Sequence, residues 1–175
     1  GFFMARTIFI TGGARSGKST LAETMAESLG TPLCYVATGE AGDPEMAARI
    51  AANRTRRGDG WLTIEEPLRL TRTLKNADGR FQAILVDCVT LWLTNLLLAL
   101  DSPDAALAEA HALARTLPEL NTPLFLVSNE VGMGIVPDNP LARAFRDLAG
   151  KANQLLAETA DEVYVTFSGI PLRLK

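Results

Sequence analysis

The residues best suited to chemistry lie close to the start of the chain. Gly12-Gly13-Ala14-Arg15-Ser16-Gly17-Lys18-Ser19 fits G-x-x-x-x-G-K-[ST]. In such a loop, glycines let backbone N–H groups turn toward phosphate oxygens where a side chain would collide. Lys18 adds a full positive charge near the β- and γ-phosphates, and the Ser19 hydroxyl is placed to meet Mg²⁺. A second signal is Ala83-Ile84-Leu85-Val86-Asp87, an apolar run ending in a carboxylate. After a phosphate loop this is the Walker-B pattern, with the acid facing Mg²⁺ and phosphate. Together they predict a protein that binds a nucleoside triphosphate with Mg²⁺.

Other residues leave two readings open. Arg54, Arg56 and Arg57 cluster near the end of a predicted helix, where arginine forks could reach nucleotide phosphates or simply complement the helix dipole. Helical spacing puts Met46 and Ile50 on an apolar face, with Glu45, Arg49, Ala52 and Arg56 on the other and Asn53 beside them. His111, the only histidine, sits among alanines without a nearby acid and reads as structural. Cys34 and Cys88 lie in strand-like apolar runs and read as buried free thiols.

These residues need a scaffold, and its pattern is regular. Thr7-Ile8-Phe9-Ile10-Thr11 is a β-branched and aromatic strand, and Leu21, Met25 and Leu29 recur every four residues as a helix stripe. Strand, glycine turn and helix start supply the context that a phosphate loop requires. Further strands are expected at 33–38, 61–64, 83–87, 124–127 and 163–167. Gly39-Glu40-Ala41-Gly42 forms a loop at a strand's end, and Asp43-Pro44 opens a helix as N-cap and first-turn proline, running to about Arg57. Helices are also expected from Leu68 to Leu74, after Ser102-Pro103, and after Asn139-Pro140 with Leu141, Phe145, Leu148 and Ala152 inward. Strands alternating with helices predict an α/β fold with a mainly parallel sheet covered on both faces.

Composition sets the outer bounds. With 175 residues, 47% of them hydrophobic and 21% charged, the chain reads as one globular domain over residues 6–175. Residues 1–5, with Gly1-Phe2-Phe3 ahead of Met4, read as a remnant or a loosely tied terminus, with no signal-peptide pattern following. A net charge of −3 argues against a nucleic-acid or polybasic membrane surface. Ala83 to Leu100 is long and apolar, but Asp87 within it is costly in lipid, so a strand passing into a core helix is expected instead of a span. Two cysteines without metal spacing suit a reducing cytoplasm.

Five stretches together resemble one family over nearly the whole chain from Arg6. They are Thr11 to Ser19, Tyr35-Val36-Ala37-Thr38, Glu45-Met46-Ala47-Ala48-Arg49-Ile50, Asp87 to Leu97, and Ser128-Asn129-Glu130-Val131-Gly132-Met133-Gly134-Ile135-Val136-Pro137. The chain is similar to the bifunctional adenosylcobinamide kinases / adenosylcobinamide-phosphate guanylyltransferases of cobalamin biosynthesis. The resemblance implies a RecA-like P-loop NTPase fold, a homotrimer, Mg²⁺, and ATP or GTP as co-substrate. It implies phosphorylation of adenosylcobinamide, then guanylyl transfer from GTP to the phosphate, giving adenosylcobinamide-GDP. It places Thr38, Gly39, Asn53, Arg54, Thr55, Arg56 and Glu65 around the guanine nucleotide beside the phosphate loop, and Glu130 near the corrinoid. In the family a histidine of a His-His pair, just after Ala-Ala-Arg-Ile, carries the guanylyl group. Here the chain reads Ala52-Asn53, with Ala52 expected at the nucleophile's position, and neither side chain can attack phosphorus.

Overall fold

A computed structural model of the chain describes residues 7–39, 42 and 44–175. Residues 1–6, the loop residues Glu40 and Ala41, and the expected N-cap Asp43 lie outside them. The element order is β1 (Thr7–Gly12), α1 (Lys18–Glu27), β2 (Leu33–Ala37), α2 (Pro44–Arg57), β3 (Trp61–Glu65), α3 (Leu70–Ala77), β4 (Ala83–Asp87) and α4 (Val89–Leu100). There follow α5 (Pro103–Thr116), a 3₁₀ turn, β5 (Leu124–Asn129), α6 (Pro140–Thr159), β6 (Glu162–Phe167) and β7 (Ile170–Arg173).

The strands form one seven-stranded sheet ordered β3-β2-β4-β5-β1-β6-β7. All pairings are parallel except β6 with β7. Alternation along the central strands sorts the core into two layers, because successive side chains point to opposite faces. Ile8, Ile10, Tyr35, Leu85 and Phe125 pack with Ala22 and Ala26 of α1 on one face. Phe9, Val36, Ile84, Val86 and Leu126 pack on the other with apolar residues of α3, α4, α5 and α6.

The long apolar run resolves into β4 and α4, and among the described residues no helix is long and apolar enough to cross a membrane. Its centre is Trp92, fully buried, whose indole Nε1 donates to the Leu68 carbonyl at 2.8 Å. Trp92→Ala should therefore cost about 3–5 kcal/mol, from the cavity and the lost hydrogen bond. Urea unfolding with an unchanged m-value would measure it.

The structure departs from the expected elements in three places. Ile170–Arg173, beyond the last expected strand, forms an antiparallel edge strand. α3 starts later than expected because the Glu66 carboxylate accepts the backbone N–H groups of Leu68 and Arg69 and fixes the entry to the helix. α6 turns Leu148, Ala149, Ala152 and Leu156 inward, leaving Leu141 half exposed at its first turn.

Candidate active site

The phosphate loop is built by steric necessity at two glycines. Gly12 has φ +156°, and a Cβ there would lie 2.5 Å from Ser16 Oγ and 2.6 Å from Thr166 Oγ1. Gly17 has φ +93° and caps α1 in the left-handed region, with Gly169 Cα only 2.9 Å from its missing Cβ. The β6–β7 turn braces the loop: the Gly169 N–H donates to the Ser16 carbonyl at 2.8 Å, and the Ser16 and Thr166 hydroxyls pair at 2.7 Å. Sequence reasoning missed Thr166 and Gly169, since they lie about 150 residues away in an unmarked strand and turn. Lys18, nearly buried, reaches back to donate to the Gly13 carbonyl at 3.0 Å. Lys18 and Ser19 form the first turn of α1, so the helix N-terminus points into the loop.

Asp87 meets Ser19 as expected. β5 lies between β4 and β1, yet the Ser19 hydroxyl donates to Asp87 Oδ2 at 3.2 Å. A hydroxyl and one carboxylate are hard oxygen donors that suit Mg²⁺, which is held by few protein ligands together with water and phosphate. Among the described residues no cluster of three or more His, Cys, Asp or Glu could hold a metal by itself. A second donor to Asp87 Oδ2 was not foreseen: Tyr35 Oη, at 2.5 Å. Burial, and then the Asp87 charge, push the phenol pKa far above its usual value, so it remains a donor. Asp87→Asn is expected to keep the fold while the Mg²⁺ concentration needed for half-maximal rate rises. An unchanged Mg²⁺ titration would remove Asp87 from the metal's partners.

Helix α2 closes the other side. Met46, Arg49, Ile50, Asn53 and Arg57, each three or four residues from another of the set and so on one helix face, line a cavity of about 220 Å³ together with Tyr35, Gly39, Asp87 and Cys88. This corrects the expected faces. Arg49 joins the apolar residues of the cavity face, whereas Ala52 is exposed and does not line the cavity. Of Ala52 and Asn53, the side chain that α2 points toward Asp87's cavity is therefore Asn53.

The arginine cluster also divides. Arg56 forms a fork with Glu23 of α1, Nη1 to Oε2 at 2.8 Å and Nη2 to Oε1 at 2.7 Å, so both its ends are committed. The hydrogen bond to Glu23 raises its pKa further. Arg54 is exposed, and Thr55 bonds back to the Ala51 carbonyl, so neither faces the cavity. Arg57, left outside the expected site, is buried, with its guanidinium carbon 3.4 Å from the centre of the Tyr35 ring. Its Nη2 donates to Thr63, while Nε and Nη1 are buried with no hydrogen-bond partner among the described residues. Burial lowers its pKa. No sequence signal separated Arg57 from its neighbours, because only the packing of α2 fixes which arginine turns inward.

Thr38 is placed beside the cavity but with its hydroxyl already committed. It donates to the Cys88 carbonyl at 2.8 Å and accepts from the Cys88 N–H at 2.9 Å, so it braces the β4–α4 turn and is not free for nucleotide. Gly39 lines the cavity. Glu65 ends β3 opposite Ala37, exposed at the carboxyl edge of the sheet. Cys34 is buried, whereas Cys88 caps α4 and lines the cavity, a correction to its expected place within a strand. Burial raises both thiol pKa values, that of Cys34 to about 11. The Glu130 N–H donates to the Gly12 carbonyl at 2.9 Å, which sets its loop against the phosphate loop, and its carboxylate accepts from the Gly132 N–H. His111 is exposed on α5 and lines none of this. A larger groove of about 540 Å³ between α3, α4 and α5 shares no residue with the phosphate loop or Asp87.

Residues 8–174 match the model of a family described as cobinamide kinase / cobinamide phosphate guanyltransferase. The chain belongs to that family. It is 49% identical to the bifunctional adenosylcobalamin biosynthesis protein CobP of Pseudomonas aeruginosa over 166 residues, 95% of either chain. It is 44% identical to the bifunctional adenosylcobalamin biosynthesis protein CobU of Salmonella typhimurium, over 96% of this chain and 99% of that one. Among solved structures, the fold is similar to a RadB recombinase (TM-score 0.55, 17% identity, 91% of this chain and 73% of that one). It is also similar to an ATPase of a type III secretion system (TM-score 0.58, 16% identity, 91% and 50%). These likenesses show a RecA-like P-loop fold. Membership makes the chain an enzyme of the kinase and guanylyltransferase class in cobalamin biosynthesis.

Proposed function

We propose that this chain phosphorylates adenosylcobinamide with ATP or GTP and Mg²⁺, and that as written it does not pass a guanylyl group through a histidine. The observation that carries the first half is the convergence of the phosphate loop, Lys18, Ser19 and Asp87. In the transfer, the aminopropanol hydroxyl oxygen bonds to the γ-phosphorus as the bond to the β–γ bridging oxygen breaks, and the nucleoside diphosphate leaves. Lys18 and the loop N–H groups stabilise charge on the transferring group, and Ser19 and Asp87 would hold the Mg²⁺ that neutralises the phosphates. Glu130 would accept the hydroxyl proton or orient that arm of the corrinoid, a role supported by the backbone bond that holds its loop against Gly12.

What supports the second half is Asn53 on the cavity face of α2, whose amide is not a nucleophile. Arg57 lines the same cavity, and its guanidinium charge suits a phosphate of the guanine nucleotide. Mass spectrometry after incubation with adenosylcobinamide and ATP or GTP tests both halves. Adenosylcobinamide phosphate without the GDP ester is the expected product. No corrinoid product with either nucleotide would favour a non-catalytic nucleotide-binding protein. A homotrimer is supported by exposed Met133, Ile135 and Val136 in the loop after β5, and sedimentation would test it.

A further inference from the structure

We propose that Tyr35 is a positioning residue for Asp87, its hydroxyl fixing the carboxylate in the orientation that nucleotide-bound Mg²⁺ requires. The inference rests on the kinase reading and adds a residue to its machinery.

The sheet register creates the contact. β2 and β4 are parallel, with Ala37 opposite Asp87 and Tyr35 opposite Leu85. Tyr35 therefore lies two residues before the position level with Asp87, on the same face as Ala37. From there the phenol reaches forward along the strand direction, and its hydroxyl meets Asp87 Oδ2. The ring cannot swing away. It is buried, Trp61 meets it edge-on with centroids 6.1 Å apart, and the Arg57 guanidinium covers its face.

The second donor to the same oxygen, Ser19, is itself a metal-site candidate, so its bond to Asp87 is one the ion would contest. Tyr35 approaches from β2, away from the phosphate loop, and its bond can persist with the site loaded. Without it, the carboxylate would rely on Ser19 alone among the side-chain donors seen here. A Tyr at this strand position could otherwise simply fill the α1 layer of the core, and Tyr35→Phe separates the roles because it keeps the ring and removes only the hydroxyl.

The test counts Mn²⁺ bound to the protein–GTP complex by electron paramagnetic resonance, for the unaltered chain, Tyr35→Phe and Asp87→Asn. A hydrogen bond to a charged group corresponds to about tenfold or more in an equilibrium constant. The expected result is an Mn²⁺ dissociation constant raised about tenfold in Tyr35→Phe. The Mg²⁺ requirement of the kinase should rise in parallel, while KM for the corrinoid changes less than about twofold. A lowered melting temperature with unchanged Mn²⁺ affinity would show that Tyr35 only fills space. Tighter Mn²⁺ binding would show that it restrains Asp87 away from the metal. Binding that Asp87→Asn leaves intact would take the carboxylate out of the metal site and the proposal with it. The metal measurement needs no corrinoid, so it decides the role of Tyr35 even if adenosylcobinamide proves not to be the acceptor.

Discussion

Lys18→Ala is expected to slow phosphorylation of adenosylcobinamide by about 10²-fold or more, the scale of losing one preorganised electrostatic group at a transferring centre. The residue is the first of α1, nearly buried, with its ammonium 3.0 Å from the Gly13 carbonyl. That short tether keeps the charge at the mouth of the loop, where it can exchange the carbonyl for phosphate oxygens. Alanine is compatible with the helix and removes only the charge and its stem, so the loss should fall on the rate rather than on folding. Single-turnover rates with saturating ATP, together with the melting temperature, measure both. Near-normal turnover would mean that this loop is not where the γ-phosphate is transferred.

The second large effect concerns covalent chemistry. The unaltered chain, incubated with GTP labelled at the α-phosphate, is expected to keep no acid-labile, alkali-stable label after denaturation. A phosphoramidate needs an imidazole nitrogen, and His111, the single histidine, is exposed on α5 away from the cavity. Asn53→His should create the label, since position 53 lines the cavity with Arg49, Arg57 and Asp87. Ala52→His should not, because position 52 is exposed on α2. Sequence alignment alone would have chosen position 52. Label on Ala52→His but not on Asn53→His would show that α2 turns differently when nucleotide is bound. Label on neither would mean that more than the nucleophile is missing, and that the chain acts as a kinase only.

The sequence by itself determined the parts that are local in the chain. The phosphate loop is contiguous, its glycines are dictated by backbone geometry, and β1 and α1 on either side follow from residue type and period. The place of Asp87 was legible for the same reason, as a carboxylate closing an apolar strand. The family was legible because Asn129 to Pro137 is a long and specific string. What only the tertiary structure decided are the contacts between segments far apart in the chain. Tyr35 reaches Asp87 because of the β2–β4 register, and Thr166 and Gly169 brace the phosphate loop because β6 lies beside β1. The rotation of α2 was likewise settled by packing. Its sequence offers several charged stripes of similar pattern, and the Glu23 fork on Arg56 with the Tyr35 ring under Arg57 selects the one that faces inward. That rotation turns Ala52 to the surface and Asn53 to the cavity, because a single residue step on a helix is about 100°.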